Sequence, residues 1–283
     1  MHDPTEHPRI PKLVVSVVNY RSRLYLGNCL GRICPQARRS GYPVYVTDNH
    51  SCDDSVSGLA EEFPDVHLEQ NEKNVGFGAA HNQVIAATRS QYVLVLNPDT
   101  LMTTDGIQKM LSFMDAHPWV GVLGAKLLNG DGSTQHSCRR FPSAATILLR
   151  GLGIERWLAD AEITRRYFML DLDHESTMEV DWVMGACMLL RRKALEQVGT
   201  FDEGYFLYYE DVDLCYRMWP DWKVVYYPHV TVLHHHLQQS HKLRHLRQFA
   251  VHVRSVCRFF HKYGLAPQRP AQGPAGNVAR VTV

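Results

Sequence analysis

The chain has 283 residues, 45% hydrophobic and 21% charged, with 19 Gly and 14 Pro; this excludes fibrous, low-complexity and disordered classes and suffices for one large domain or two small ones. Thirty Lys and Arg against 29 Asp and Glu leave a formal charge of +1, which argues against a dedicated nucleic-acid binder. Seven scattered Cys without C-x-x-C spacing exclude a disulfide framework and fit a reducing cytosol. The polar start MHDPTEHPRIPK lacks the apolar core of a signal peptide, and the runs Leu13 to Val18 and Val183 to Leu190 fall short of the roughly 20 residues that span a bilayer. The expectation is a soluble or peripheral protein.

After an N-terminal extension (1–11), LVVSVV (13–18), VYVT (44–47), VHLE (66–69) and YVLVLN (92–97) read as strands, with helices at 23–39, 53–62 and 78–89 between them. Strands apolar on both faces and separated by helices predict a parallel sheet covered on both sides. Each strand ends in polar residues: Asn19, Asp48 with Asn49, Asn71 with Asn74, and Asn97 with Asp99. Ligands bind at the carboxyl ends of such strands, so these residues are expected to share one crevice. Residues 105–116 predict a helix and 121–128 a strand. The weakly periodic stretch 129–179 reads as a lid or a substrate-specific insertion. Beyond it follow DWVMGACMLLRR (181–192) as a strand, KALEQVG (193–199) as a short helix, FDEGYFLYY (201–209) as a loop, EDVDLCYRMW (210–219) as a helix, and KVVYYP (223–228) as a strand.

No Asp or Glu occurs after Asp221, so the first 221 residues carry −8 and the last 62 carry +9. Residues 241–263 predict an amphipathic helix, with Leu243, Leu246, Phe249, Ala250, Val253, Val256, Cys257 and Phe260 on one side. Its other face holds Lys242, Arg244, Arg247, Arg254, Arg258 and Lys262. Such a helix either packs its stripe on the domain or lies on anionic lipid headgroups. Residues 264–283 read as a frayed tail.

Four motifs can carry chemistry. The segment Asn74-Val-Gly-Phe-Gly-Ala-Ala-His-Asn82 is a poor dinucleotide fingerprint, with His81 in place of the last glycine, yet a glycine loop feeding a helix offers backbone N–H groups to a phosphate. Asp99, in Asn97-Pro98-Asp99-Thr100, ends an apolar strand where a carboxylate suits a divalent cation bridging phosphates, or else caps the next helix from an Asx-Pro turn. Glu210, Asp211 and Asp213 open a helix, where acids are stabilised by the dipole. Capping suits Asp213, while one of Glu210 and Asp211, beside aromatics and a second carboxylate, is suited to general-base work. Of His234, His235 and His236, one, or the alternating pair 234 and 236, can reach a cation shared with Asp99.

In this order and spacing, VVSVVNY (14–20), VTDNHSCDDS (46–55), NVGFGAAHN (74–82), LVLNPDT (94–100), VDWVMGACMLLRR (180–192) and VGTFDEGYFLYYEDVDLCYR (198–217) resemble a family 2 glycosyltransferase of the rhamnosyltransferase-like branch, over about residues 12–262. The resemblance implies an α/β GT-A fold, a mostly parallel central sheet flanked by helices, over 12–240, with a nucleotide-binding half (12–104), an acceptor half (105–240) and the amphipathic helix after it. It implies an inverting hexosyltransferase of cell-surface polysaccharide synthesis, cytoplasmic or peripheral at the inner membrane face. The donor would be a dTDP- or UDP-linked sugar, rhamnose favoured, and the cofactor magnesium or manganese. The acceptor would be a saccharide or a polyprenyl-diphosphate-linked saccharide. Asn19, Tyr20, Asp48, Asn74, Gly76, Phe77, Asn82 and Asn97 would then line the nucleotide. Asp99 with His234 or His236 would hold the metal, although Asn97 stands where many members have Asp. Asp211 would be the base, Glu210 would position the acceptor, and Trp182, Gly185 and Ala186 would line the acceptor side. A sugar nucleotidyltransferase of the same fold normally carries an N-terminal Gly-rich basic loop, and none is found between Val14 and Arg32; retention of Asp99, Glu210 and Asp211 argues against a non-catalytic nucleotide-sugar or glycan binder.

Overall fold

A computed structural model describes residues 10–151, 162–235 and 242–271. β1 (Leu13–Asn19), α1 (Arg23–Ser40), β2 (Val44–Asp48), α2 (Leu59–Glu62), β3 (Val66–Gln70), α3 (Phe77–Ala87) and β4 (Tyr92–Leu96) alternate as the patterning predicts. Their strands pair in parallel in the order β3-β2-β1-β4. The expected helix at 53–62 shrinks to four residues, because the Asp53 carboxylate accepts the Ser55 N–H in an Asx turn and Gly58 takes a left-handed φ of 72°.

The second half supplies β5 (Thr100–Met102), α4 (Gly106–Ala116), β6 (Val120–Leu128), β7 (Thr134–Gln135), β8 (Cys138–Arg139), α5 (Ala144–Gly151), α6 (Glu162–Tyr167), β9 (Met178–Glu179), β10 (Trp182–Val183), β11 (Cys187–Arg191), α7 (Arg192–Val198), α8 (Glu210–Met218), β12 (Lys223–His234) and α9 (Lys242–Tyr263). β11 enters the sheet antiparallel between β4 and β6, β12 lies parallel to β6, and β5 closes the edge antiparallel to β12. The sheet therefore runs mostly in one direction, with helices on both faces.

The single strand expected over 181–192 is two. Trp182 and Val183 pair with β8 in a ribbon of their own, the chain turns at Met184 to Ala186, and Cys187 enters the main sheet. β12 joins the expected strand at 223–228 to Val230–Leu233 through a register break between Tyr227 and Thr231, where Pro228 has no N–H to offer the ladder.

Strand side chains alternate between two cores. Val15, Val17, Leu94, Leu96 and Leu189 meet α1 and α4 on one face, whereas Val93, Val95, Met188 and Leu190 meet α8 and Phe259 of α9 on the other. All seven cysteines are free thiols.

α9 packs differently from its predicted stripe. Phe259 is fully buried, Ser255 Oγ donates to the Leu207 carbonyl, and Arg258 and Lys262 bind Asp202 instead of facing outward. Phe249 and Val253 stay 62% and 41% exposed, with Ala250, Cys257, Arg247 and Arg254 exposed beside them. The side chains of Lys242, Leu243, Arg244 and Leu246 lie outside the described residues. No helix among the described residues is long and apolar enough to cross a membrane.

Candidate active site

The polar ends of β1, β2 and β4 do converge. Asn19 at the end of β1 is fully buried and donates from Nδ2 to Asp48 Oδ1 at 2.7 Å and to Ser51 Oγ at 3.1 Å. Its Oδ1 is buried without a hydrogen-bond partner, the kind of unmet acceptor that a ligand donor completes. Tyr20 is half-buried, with the Arg21 guanidinium 5.3 Å from its ring centre. Next to Asp48, Asn49 is a hub. Its amide donates to Asn74 Oδ1 and the Gly76 carbonyl and accepts from the Val75 N–H.

The glycine loop does not serve as expected. The N–H groups of Val75, Gly76 and Phe77 are bonded to Asn49 Oδ1, Asn74 Oδ1 and the Phe206 carbonyl, so these three are committed within the protein and not offered to a phosphate. Gly76 is needed for a different reason. Its φ is 98°, and a Cβ there would fall 2.5 Å from the Phe206 carbonyl oxygen, so glycine lets the loop dock on the aromatic segment 201–209. Asn82 spends both amide hydrogens on the Phe201 carbonyl and Glu203 and accepts the Phe201 N–H, which makes it a tether for that segment. Phe77 reaches across to Gly185, where a Cβ would lie 3.2 Å from its ring. Beneath it, His81 is fully buried against Ser16 Oγ, and burial pushes its pKa down to about 3.

Asn97 donates its N–H to the Ala186 carbonyl at 2.9 Å, so the end of β4 and the turn before β11 lie side by side. Asp99 caps no helix, because the chain continues as β5. Its carboxylate instead faces His234 Nε2 at 3.4 Å, both residues more than nine-tenths buried. His234 Nδ1 meets Gln135 Oε1 at 2.8 Å, and the Gln135 amide nitrogen is oriented by donating to Asn129 Oδ1. That chain suits a ring proton on Nδ1, which leaves Nε2, 3.4 Å from both Asp99 Oδ1 and Asn97 Nδ2, as the nitrogen a cation would meet. Two donors 3.4 Å apart fit adjacent positions on an octahedral ion, where bonds of about 2.1 Å put neighbouring ligands roughly 3 Å apart. Among the described residues no third His, Cys, Asp or Glu joins them, so further ligands would have to come from phosphates or water. His236 lies outside the described residues.

On the other side of the Asn97–Ala186 contact are the acids. Tyr208 and Tyr209 take left-handed φ values of 68° and 71°, a strain of about 1–3 kcal/mol each, and turn the chain into α8 at Glu210. Glu210 is buried, Oε2 has no partner, and burial together with the neighbouring Asp211 charge raises its pKa well above the carboxylate range. It lies beside Gly78 and does not extend toward solvent. Asp211 is half-buried, accepts the Gly185 N–H at Oδ2 (2.9 Å) and the Val212 N–H at Oδ1 (2.8 Å), and has a pKa raised by burial against the pull of those N–H groups and of Arg139. Arg139, which the sequence did not single out, lies 5.2 Å from the Trp182 ring. Trp182 is a buried wall, its indole N–H given to the Arg140 carbonyl, and Ala186 is buried in the core on the other face of the sheet. Asp213 does not cap α8. It is fully buried and tied to Arg217, Lys262, Tyr205 and Tyr263.

The arrangement pairs a buried carboxylate–imidazole couple with a partly exposed carboxylate beside a buried one, across the Asn97–Ala186 backbone contact. Two residues that hold it were missed, Gln135 and Arg139, and neither left a sequence signal; Asn49 was expected in the crevice as the second polar residue at the end of β2.

A sequence model of the family described as glycosyltransferase like family 2 matches residues 10–253. An N-acetylglucosaminyl-diphospho-decaprenol L-rhamnosyltransferase of Mycobacterium tuberculosis is 35% identical over 208 residues, 68% of this chain and 66% of its own length. The rhamnosyltransferase WbbL of Escherichia coli K12 is 29% identical over 50% of this chain and 54% of its own. Among solved structures, GalNAc-T7 with UDP, GalNAc and Mn2+ superposes with a TM-score of 0.65 at 13% identity, over 91% of this chain and 49% of that one, a likeness of fold. The chain thus spans about two thirds of its mycobacterial relative and about half of the other two.

Proposed function

Because this chain belongs to the family 2 glycosyltransferases, in their rhamnosyltransferase-like branch and with the GT-A fold, we propose that it moves a hexose, rhamnose favoured, from a nucleotide-diphosphate donor to a saccharide carried on a polyprenyl diphosphate, with inversion. The observation that carries this reading is the placement of Asp211 and of the Asp99–His234 couple on either side of the Asn97–Ala186 contact.

Inverting transfer needs a base on the acceptor side and charge neutralisation on the side of the departing diphosphate. Asp211 is aimed by the Gly185 N–H and accepts the proton of the attacking hydroxyl. At Glu210, burial and the Asp211 charge both work against a second negative charge beside the base. Asn19, Asp48 and Tyr20 take the nucleoside end, where the Asn19 Oδ1 awaits a donor. Asp99 and His234 would hold magnesium or manganese, which when bound supplies positive charge against the diphosphate.

The test is thermal shift with a panel of dTDP- and UDP-linked sugars, with and without manganese. A ligand at a hundred times its Kd stabilises by about 2.7 kcal/mol, a rise in Tm of about 5–10 °C for a chain this size. One nucleotide family is expected to give that rise with metal present, and Asp99→Ala to abolish it. No shift from any nucleotide would sink the donor assignment.

The membrane enters through α9. With Arg258 and Lys262 committed to Asp202, the surface left for lipid is the exposed row Phe249, Ala250, Val253 and Cys257, bordered by Arg247 and Arg254. Full burial of one such apolar side chain is worth about 1.5–3 kcal/mol. The double substitution Phe249→Glu and Val253→Glu is therefore expected to cut cosedimentation with anionic phospholipid vesicles at least tenfold while leaving Tm unchanged. Unaltered cosedimentation would remove α9 from the reading.

A further inference from the structure

Beside the β8–β10 ribbon, a cavity of 420 Å³ opens between α5, α6 and the stretch that follows α9, and Arg140, Arg166 and Arg269 all line it. Its floor is built. Ala144 donates its N–H to the Leu265 carbonyl, and the Arg269 guanidinium lies 4.1 Å from the Trp219 ring centre while binding Asp181. Asp181 also takes the Phe141 N–H, so the one carboxylate that lines the cavity among the described residues is committed to the wall. The cations are less fully used. Arg140 reaches Asp171 only at 3.6 Å and has its Nε buried without a hydrogen bond, and the Arg166 side chain has no partner among the described residues. Ser143 and Thr146, hydrogen-bonded to each other at 2.8 Å, add two hydroxyls.

Guanidinium forks around a polar cavity match phosphoryl oxygens, each able to give two parallel N–H bonds. The donor's diphosphate already has its place at Asp99 and His234. This second cluster lies toward the acceptor side. Asp181, on its wall, is four residues from Gly185, which holds the base, so at about 3.3 Å per residue the two are at most about 13 Å apart. That is the reach of a short saccharide whose hydroxyl meets Asp211. The cavity's closing segment also follows directly from α9 and its exposed apolar row.

We propose that this cavity binds the diphosphate that joins the acceptor saccharide to its lipid, an inference that rests on the transfer reading above. The experiment uses the full chain with Arg166→Gln, at an exposed position where folding is not at risk, and Arg140→Gln as a second variant. Calorimetric titration with inorganic diphosphate is expected to lose at least tenfold in affinity in each variant and to keep this site in Asp99→Ala. Steady-state kinetics is expected to show KM for the polyprenyl-diphosphate acceptor raised at least tenfold with kcat within twofold, and KM for the same saccharide as a neutral alkyl glycoside unchanged. Equal effects on both acceptors, or diphosphate binding untouched by both Arg substitutions, would overturn the proposal. Loss of binding to phosphatidylglycerol vesicles with no change in the KM ratio would overturn it in favour of a phospholipid headgroup. If no acceptor is glycosylated at all, the transfer reading fails, and the titration still decides whether the cavity takes a diphosphate.

Discussion

Replacing Asp211 by Asn is expected to lower kcat by about 10²–10⁴-fold, the range a positioned general base supplies, while leaving nucleotide affinity within twofold. Asn retains an oxygen for the Gly185 N–H, so the turn before β11 keeps its contact and the loss is chemical. The pH dependence gives a second readout. Burial raises the Asp211 pKa, so kcat/KM in the unsubstituted enzyme falls as pH drops through a value above that of an ordinary aspartate, and the residual activity of the variant lacks that limb. Stability moves the opposite way. Glu210 and Asp211 have folded pKa values above their unfolded ones, so their cost to folding is absent below the unfolded values and complete above the folded ones. Thermal stability from this pair therefore rises on mild acidification, and Asp211→Asn reduces that gain. A kcat loss under tenfold would remove Asp211 from the base role.

The largest expected effect on stability is at Asp213. This carboxylate is fully buried and accepts from Arg217 Nε at 2.8 Å, from Tyr263 Oη at 2.9 Å, from Tyr205 Oη at 3.3 Å and from Lys262. Both phenols have pKa values raised by burial first and by the Asp213 charge second, so they remain donors at any working pH. Asp213→Asn leaves two cations facing a neutral amide. Breaking a buried pair in this way costs about 3–5 kcal/mol, which corresponds to a Tm drop on the order of 10 °C for a chain this size. Thermal denaturation followed by circular dichroism measures it. A drop below about 3 °C would mean that water compensates Lys262 and Arg217, and that Phe259, Ser255 and the Asp202 pairs hold α9 without this carboxylate.

The legible parts of this molecule were those whose signal is local. β1, β2 and β4 are continuous β-branched runs, and a strand buried on both faces has no other composition available to it. The acids at 210 and 211 stood out because two carboxylates after an aromatic loop are rare neighbours. What stayed unreadable was set by distant partners. β7, β8, β9 and β10 are two residues long, too short for any period, and exist only because β6 and β12 give them a ladder. Asn82 and Asp213 are polar residues in ordinary helical positions, and only the fold shows that one tethers residues 201–203 and the other anchors α9. The N–H groups of residues 75–77 looked available because nothing local reveals that the Phe206 carbonyl would arrive to take one of them.

The charges that fasten α9 to α8 and to the segment before it also constrain how this sequence can drift. Asp202 binds Arg258 and Lys262, and Asp213 shares Lys262 while also holding Arg217, so these positions form one linked electrostatic set spread over 60 residues of chain. A lineage that loses either acid must lose or invert a cation on α9 in the same step, whereas Arg247 and Arg254, bound to nothing in that set, are free to wander. Among descendants of this fold, positions 202, 213, 258 and 262 should therefore co-vary as a block.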